Sequence, residues 1–157
     1  MNVHPIEKQN AKVAKILKTV LADTFVIYLK TLNYHWHVTG NSFYSLHKLF
    51  EEQYNALAES LDEIAERIRQ LNEIAPATTK SILTHTQLEE TEKLLSANEM
   101  INDLIENHGI INDFCKKSIE IAGKIHDDAT VDLLTQRVVY HEKVIWMLKS
   151  MRKDDKA

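Results

Sequence analysis

The sequence predicts an all-α chain: a four-helix bundle with a long crossover, carrying a short helix, between helices two and three. Three observations predict it. Only three glycines and two prolines occur in 157 residues, too few for the turns that a strand-rich chain needs. Four long stretches repeat apolar residues every three or four positions, the helical period. The first and last joins between them are short, and only the middle one is long.

The first helix is expected over about residues 6–38. Its stripe is Val13, Leu17, Val20, Leu21, Thr24, Tyr28 and Leu32, and His35 continues it, so a histidine faces inward with the core residues. The "TGN" at 39–41 stops it, with Gly40 as a C-terminal cap. The second is expected over about 42–72, capped by Asn41 or Ser42. Pro76 ends that region, and "KSILTH" within the connection 73–87 suggests a short helix. The third is expected over about 89–125, with Leu94, Ala97, Ile101, Leu104, His108, Ile111, Cys115, Ile119 and Ala122 in register and Gly109 as an interruption. The fourth, about 128–151, carries Val131, Leu134, Val138, His141, Ile145 and Leu148. Short joins make helices one and two, and three and four, antiparallel neighbours. A connection as long as 73–87 can cross the bundle and leave helices two and three parallel, the ferritin-like arrangement.

The chain reads as one domain, residues 1–157, with 44 % apolar and 27 % charged residues and a formal net charge of -4. That balance argues against nucleic-acid binding through overall charge. A single cysteine, Cys115, forms no internal disulfide and fits a reducing compartment. No apolar signal segment opens "MNVHPIEKQNAK", and no run approaches the roughly 18 apolar residues of a membrane span. A cytoplasmic protein is expected.

Helix two holds the chemistry. His47 and Glu51 are four residues apart, as are Asp62 and Glu66. At helical pitch these four fall at about 0°, 40°, 60° and 100°, on one stripe. Glu51 and Asp62 are nevertheless about 16 Å apart along the axis, far beyond the reach of a shared metal ion. The pairs 47/66 and 51/62 share one midpoint, between Ala56 and Leu57. Two antiparallel copies crossing there would set His47 against the partner's Glu66, and Glu51 against the partner's Asp62. A two-fold axis repeats each contact, giving two identical sites split between chains. His35 completes each. Carboxylates with imidazoles and open positions suit iron or a similar divalent metal.

The stretch "NYHWHVTGNSFYSLHKLFEEQYNALAESLDEIAERIRQL", residues 33–71, resembles the signature of the Dps mini-ferritins, the DNA-protection-during-starvation family. The match includes "HW" at 35–36, "GNSF" at 40–43, His47 and "LDEIAER" at 61–67. Length and helix order extend it over nearly the whole chain. One departure is Glu51, where the family usually has Asp. The resemblance implies a hollow dodecamer built from two-fold dimers, with a di-iron ferroxidase site at each interface. It implies His35, His47 and the acid at 51 from one chain, and Asp62 and Glu66 from the other. Fe(II) would be oxidised, preferably by hydrogen peroxide, and stored as ferric mineral, protecting against oxidative stress. Trp36, beside His35, reads either as an electron donor or radical trap or as interface packing. By the same resemblance Asp127, Asp128 and Asp132 would line pores on three-fold axes; Asp128 as a helix cap is the plainer reading.

An alternative function is a nucleoid protein that binds and protects DNA, with iron chemistry secondary. The tails argue against tight DNA binding: the short N-terminal end offers only Lys8, while Lys12, Lys15 and Lys18 are expected on the exposed face of the first helix, and "KSMRKDDKA" mixes four cations with two acids. His108 and His141 read as core residues, Cys115, Met147 and Met151 as packing. Glu52 points away from the stripe. His4 and His126 carry no assignment.

Overall fold

The computed structural model describes residues 5–152, with side chains from residue 7. Five helices follow one another: α1 (Pro5–His37), α2 (Phe43–Gln70), α3 (Thr79–His85), α4 (Ala97–Gly123) and α5 (Asp128–Met151). α1 packs along α2 and α4 along α5, α1 joins the two hairpins through α4, and α3 lies on α1. No strand occurs among the described residues, and no described helix is long and apolar enough to cross a membrane.

Local signals set most boundaries. Gly40 stands past the end of α1 with φ +101, a backbone that side-chain-bearing residues rarely adopt. α2 ends in a Schellman pair, Glu73 N–H to the Ile68 carbonyl and Asn72 N–H to that of Arg69, with Asn72 left-handed at φ 63. His126 does the same after α4 at φ 59, which gives this histidine a backbone role. α3 starts where Thr78 and Ser81 cap each other reciprocally.

Three expectations change. α4 begins at Ala97, not near 89, because Ser96 and Glu99 form a capping box that fixes its first turn. Leu94 therefore leaves the stripe and is 78 % exposed. Gly109 does not interrupt α4, whose flanks are held by burial of His108, Ile111 and Cys115. Ser42 stands at the N-cap of α2 but makes no side-chain capping bond.

The core runs through all four long helices, with Leu17, Ile27, Phe50, Leu57, Leu104 and Leu134 fully buried, each contributing about 1.5–3 kcal/mol. The crossover is tied to α1 by Asp23. This buried carboxylate accepts from Thr86 Oγ1, Gln87 N and Gln87 Nε2 at 2.6–2.7 Å. Burial pushes its carboxyl above the ordinary value, against the pull of those bonds. Further along, Lys30 Nζ reaches the Glu89 carbonyl at 2.7 Å and Asp103 at 3.0 Å. The path of 86–89 over the bundle is thus fixed by polar groups of α1.

Candidate metal centre

The last turn of α1 and the first turns of α2 lie side by side, which brings His35 and His47 together. The final carbonyls of a helix lack helical partners. His47 Nδ1 donates to one of them, the carbonyl of His35, at 2.8 Å, and His35 Nδ1 donates to the carbonyl of His47, also at 2.8 Å. A carbonyl only accepts, so each ring carries its proton on Nδ1 and presents a bare Nε2. The fixed tautomer is the one a metal ligand needs. The rings stack at 3.8 Å with 17° between planes; the edge of Tyr54 meets His35 at 5.2 Å, and Phe43 lies 5.1 Å from His47. His35 is 8 % exposed and His47 half-buried.

Ring geometry limits what the pair can hold. A metal bound in line with an imidazole lies in its plane, about 2 Å from nitrogen. Planes only 17° apart and stacked at 3.8 Å converge well beyond that distance. The two rings are therefore not arranged to share a single ion.

Glu51 follows one turn after His47. Its Oε2 lies 2.8 Å from Lys48 Nζ. That hydrogen bond, then the charge of Lys48, holds the carboxyl below its usual range, and both imidazoles add to the effect. Asp62 and Glu66 are exposed further along α2, about 16 Å and about 22 Å from Glu51 by helical rise. Asp62 stands on the rim of an apolar hollow lined by Leu21, Phe25, Leu61, Ala65 and Ile82. Among the described residues of one chain, no three of His, Cys, Asp and Glu converge as a metal would require. The chain brings His35 and His47 together, sets Glu51 one turn beyond His47 with its oxygen on Lys48, and leaves Asp62 and Glu66 further along α2.

Trp36 turns outward. It is 62 % exposed and lines an outer groove with Leu29, Tyr34, His37 and Glu90. Glu52 is exposed on a different face, beside Trp146 and Met147. Of the three aspartates near α5, Asp127 is the N-cap, in place of Asp128. It accepts from Thr130 N and Oγ1, and Arg67 reaches it at 2.7 Å. Asp128 and Asp132 are exposed.

A second histidine pair lies in the interior. His108 and His141 are 0 % and 1 % exposed, with Nδ1 atoms 2.7 Å apart. Burial holds His108 down at about 3 and also keeps His141 well below its ordinary value, helped by His108 and Arg137. His108 Nε2 is buried without a protein partner. Tyr140 packs against both rings and donates to the Gln53 carbonyl at 3.1 Å. Cys115 is core, its thiol pushed up to about 12 chiefly by burial. Met151 packs against the core.

Sequence reasoning missed Tyr54 and Phe43 as walls of the histidine pair, and Lys48 as the partner of Glu51. The i,i+3 spacing of Lys48 and Glu51 was a readable signal; the aromatic contacts depend on how α1 meets α2. Also missed was Tyr34, whose hydroxyl donates to Asp103 at 2.6 Å; burial, then that carboxylate, raises its phenol far above the ordinary value. Lys12 and Lys15 are exposed as expected, but Lys18 is half-buried and pairs with Glu73 at 3.0 Å. His4 and most of the C-terminal tail lie outside the described residues.

The chain matches the ferritin-like domain family over residues 14–157. It is 35 % identical over 141 residues to DNA protection during starvation protein 2 of Bacillus anthracis, covering 90 % of this chain and 97 % of that one. Among solved structures it resembles Dps from Thermosynechococcus elongatus, with TM-score 0.90, 33 % identity, and 97 % and 98 % of the two chains covered. It likewise resembles the Dps protein of Vibrio cholerae O1, with TM-score 0.90, 30 % identity, and 96 % and 97 % covered. The latter is described as a member of a broad superfamily of ferritin-like diiron-carboxylate proteins.

Proposed function

The chain belongs to the ferritin-like domain family and, within it, to the Dps proteins; from that premise we propose that it is a ferroxidase that oxidises Fe(II) at sites shared between two subunits and stores the ferric product inside a dodecameric shell. One observation carries this reading. His35 and His47 lock each other, through carbonyl bonds of 2.8 Å, into the tautomer that leaves both Nε2 atoms open. Two rings that cannot share an ion call for two, which makes each site a di-iron site.

One chain supplies two imidazoles and Glu51 at one end of α2 and two carboxylates at the other. The antiparallel crossing between Ala56 and Leu57 joins the ends. It brings the partner's Asp62 and Glu66 to His47 and Glu51, with His35 alongside. The exposed Ala58 near the crossing lets the two helices approach closely. The apolar hollow beside Asp62 supplies surface for a second copy to bury.

The chemistry follows from the donors. Carboxylate oxygens favour Fe(III) over Fe(II) because the higher charge gains more from anionic ligands, which favours oxidation. Two Fe(II) together deliver both electrons that hydrogen peroxide needs to become water, so no hydroxyl radical is released. Peroxide is accordingly the preferred oxidant, and protection against oxidative stress the consequence. Trp36, exposed beside His35, would donate an electron when the iron supply falls short. Asp128 and Asp132 are free to line an entry route for cations; Asp127 is engaged as a cap. The whole chain acts as one domain in the cytoplasm.

A mixing experiment tests the shared site. One chain carries His35→Ala with His47→Ala, the other Asp62→Ala with Glu66→Ala. Each alone should fail to oxidise Fe(II) with peroxide. Dissociated and reassembled together, they should regain about a quarter of wild-type rate, since half of random dimers are mixed and each mixed dimer holds one intact site. No recovery in mixtures shown to contain mixed dimers would sink the proposal.

A further inference from the structure

We propose that Lys48 governs loading of the second ferrous ion: its ammonium occupies the Glu51 carboxylate until that ion displaces it. The proposal rests on the shared iron site described above. Lys48 Nζ lies 2.8 Å from Glu51 Oε2, and both side chains remain partly open to solvent, at 51 % and 37 %.

The stacking of His35 and His47 at 3.8 Å and 17° sends two ions to two rings. Each ion needs anionic oxygen as well as nitrogen. In its own chain, Glu51 is the acid one helical turn after His47, on the same stripe. The carboxylate available to complete the second position is therefore already bound to a cation.

Position on the helix strengthens this. Lys48 falls at about 100° on the stripe, the angle of Glu66. The two-fold crossing that sets His47 against the partner's Glu66 sets Lys48 against the partner's Ala65, between the partner's Asp62 and the partner's Glu66. Its ammonium is held on Glu51 at 2.8 Å, so its loss is felt chiefly at the position that Glu51 completes.

The exchange breaks no covalent bond: the ammonium leaves the Glu51 oxygen, Fe(II) takes its place, and the freed Lys48 swings to solvent. Exposed ion pairs are weak, so this is a graded competition that separates the two binding steps. The first ion loads on the ring that does not depend on Glu51. Two-electron reduction of peroxide waits until the second arrives.

Anaerobic calorimetric titration of the assembled protein with Co(II), which stays divalent, reads both steps without turnover. Wild type should show a tight and a weaker step per site. Lys48→Met should tighten the weaker one about fivefold, roughly the worth of an exposed charge pair. Lys48→Glu should tighten it further, and Lys48→Arg should leave it unchanged or weaker. The tight step should stay within twofold throughout. A weaker step that is unmoved in both the Met and Glu variants, or two steps that shift together, overturns the role of Lys48. Absence of any Co(II) binding in wild type instead strikes the iron site itself, and the Lys48 proposal with it.

Discussion

Two histidine pairs occupy the same kind of position in this molecule, on the apolar stripes of packed helices, yet they differ in nearly every property that matters to chemistry. His35 and His47 join α1 to α2. Each Nδ1 donates to a backbone carbonyl, and each Nε2 is left bare near the surface. His108 and His141 join α4 to α5. There the two Nδ1 atoms face each other at 2.7 Å in a sealed core, and one Nε2 has no protein partner. What separates a candidate ligand from a core residue is the partner of Nδ1 and the access of Nε2, not the residue type or the stripe.

The largest test of this contrast exchanges the roles. His35→Ala with His47→Ala should lower Fe(II) oxidation by a factor of about a hundred or more, since even groups that only orient ligands are worth 10–100-fold. His108→Leu with His141→Leu should leave it within about twofold. Stopped-flow absorbance of ferric product reads both, and equal losses would erase the distinction.

Stability should show the reverse order. His141→Leu alone strips the one Nδ1 partner of His108 and should cost about 1–3 kcal/mol at pH 7. The double leucine variant removes both polar rings and should cost less than the single one. Chemical denaturation of the assembled protein compares them.

Acid sharpens the contrast further. Both core histidines have folded values depressed below the ordinary 6.5, His108 to about 3. Their contribution is fully present above pH 6.5 and is lost as pH falls towards the folded value, because the unfolded chain takes up the protons first. Each should cost about 1 kcal/mol per pH unit over that window. The double leucine variant should flatten the acid limb of a melting-temperature profile between about pH 6 and 4.

The smallest effect concerns the wall of the inner pair. Tyr140→Phe removes one hydrogen bond to the Gln53 carbonyl and should cost about 0.5–1.5 kcal/mol without altering iron oxidation.

Much of this was legible in the sequence. The bounds of α1, α2 and α5, the short helix in the crossover and the core stripes follow from spacing and scarce glycine. The ligand pairing proposed on α2 rests on arithmetic on one helix. The inner pair was separable from the outer one because no acid stands four residues from His108 or His141 with the right symmetry. Other features were hidden. Leu94 continues the stripe in sequence, but the Ser96–Glu99 capping box starts α4 after it, and a local cap outweighs one more apolar residue. Asp127 and Asp128 are both credible caps, and Arg67, 60 residues away, favours the first. The reciprocal carbonyl bonds join residues 12 apart and depend on how one helix end meets the next helix start, which no single-helix pattern contains.

Those reciprocal bonds make the short turn between α1 and α2 a measuring gauge. It contributes no ligand, yet its length decides whether each imidazole finds the other's carbonyl. Inserting or deleting one residue between His37 and Phe43 would slip both bonds at once and free both rings to spin. Such a change would spoil the proposed metal site while leaving the helices in place, so the segment with the least chemistry would tolerate the least variation in length.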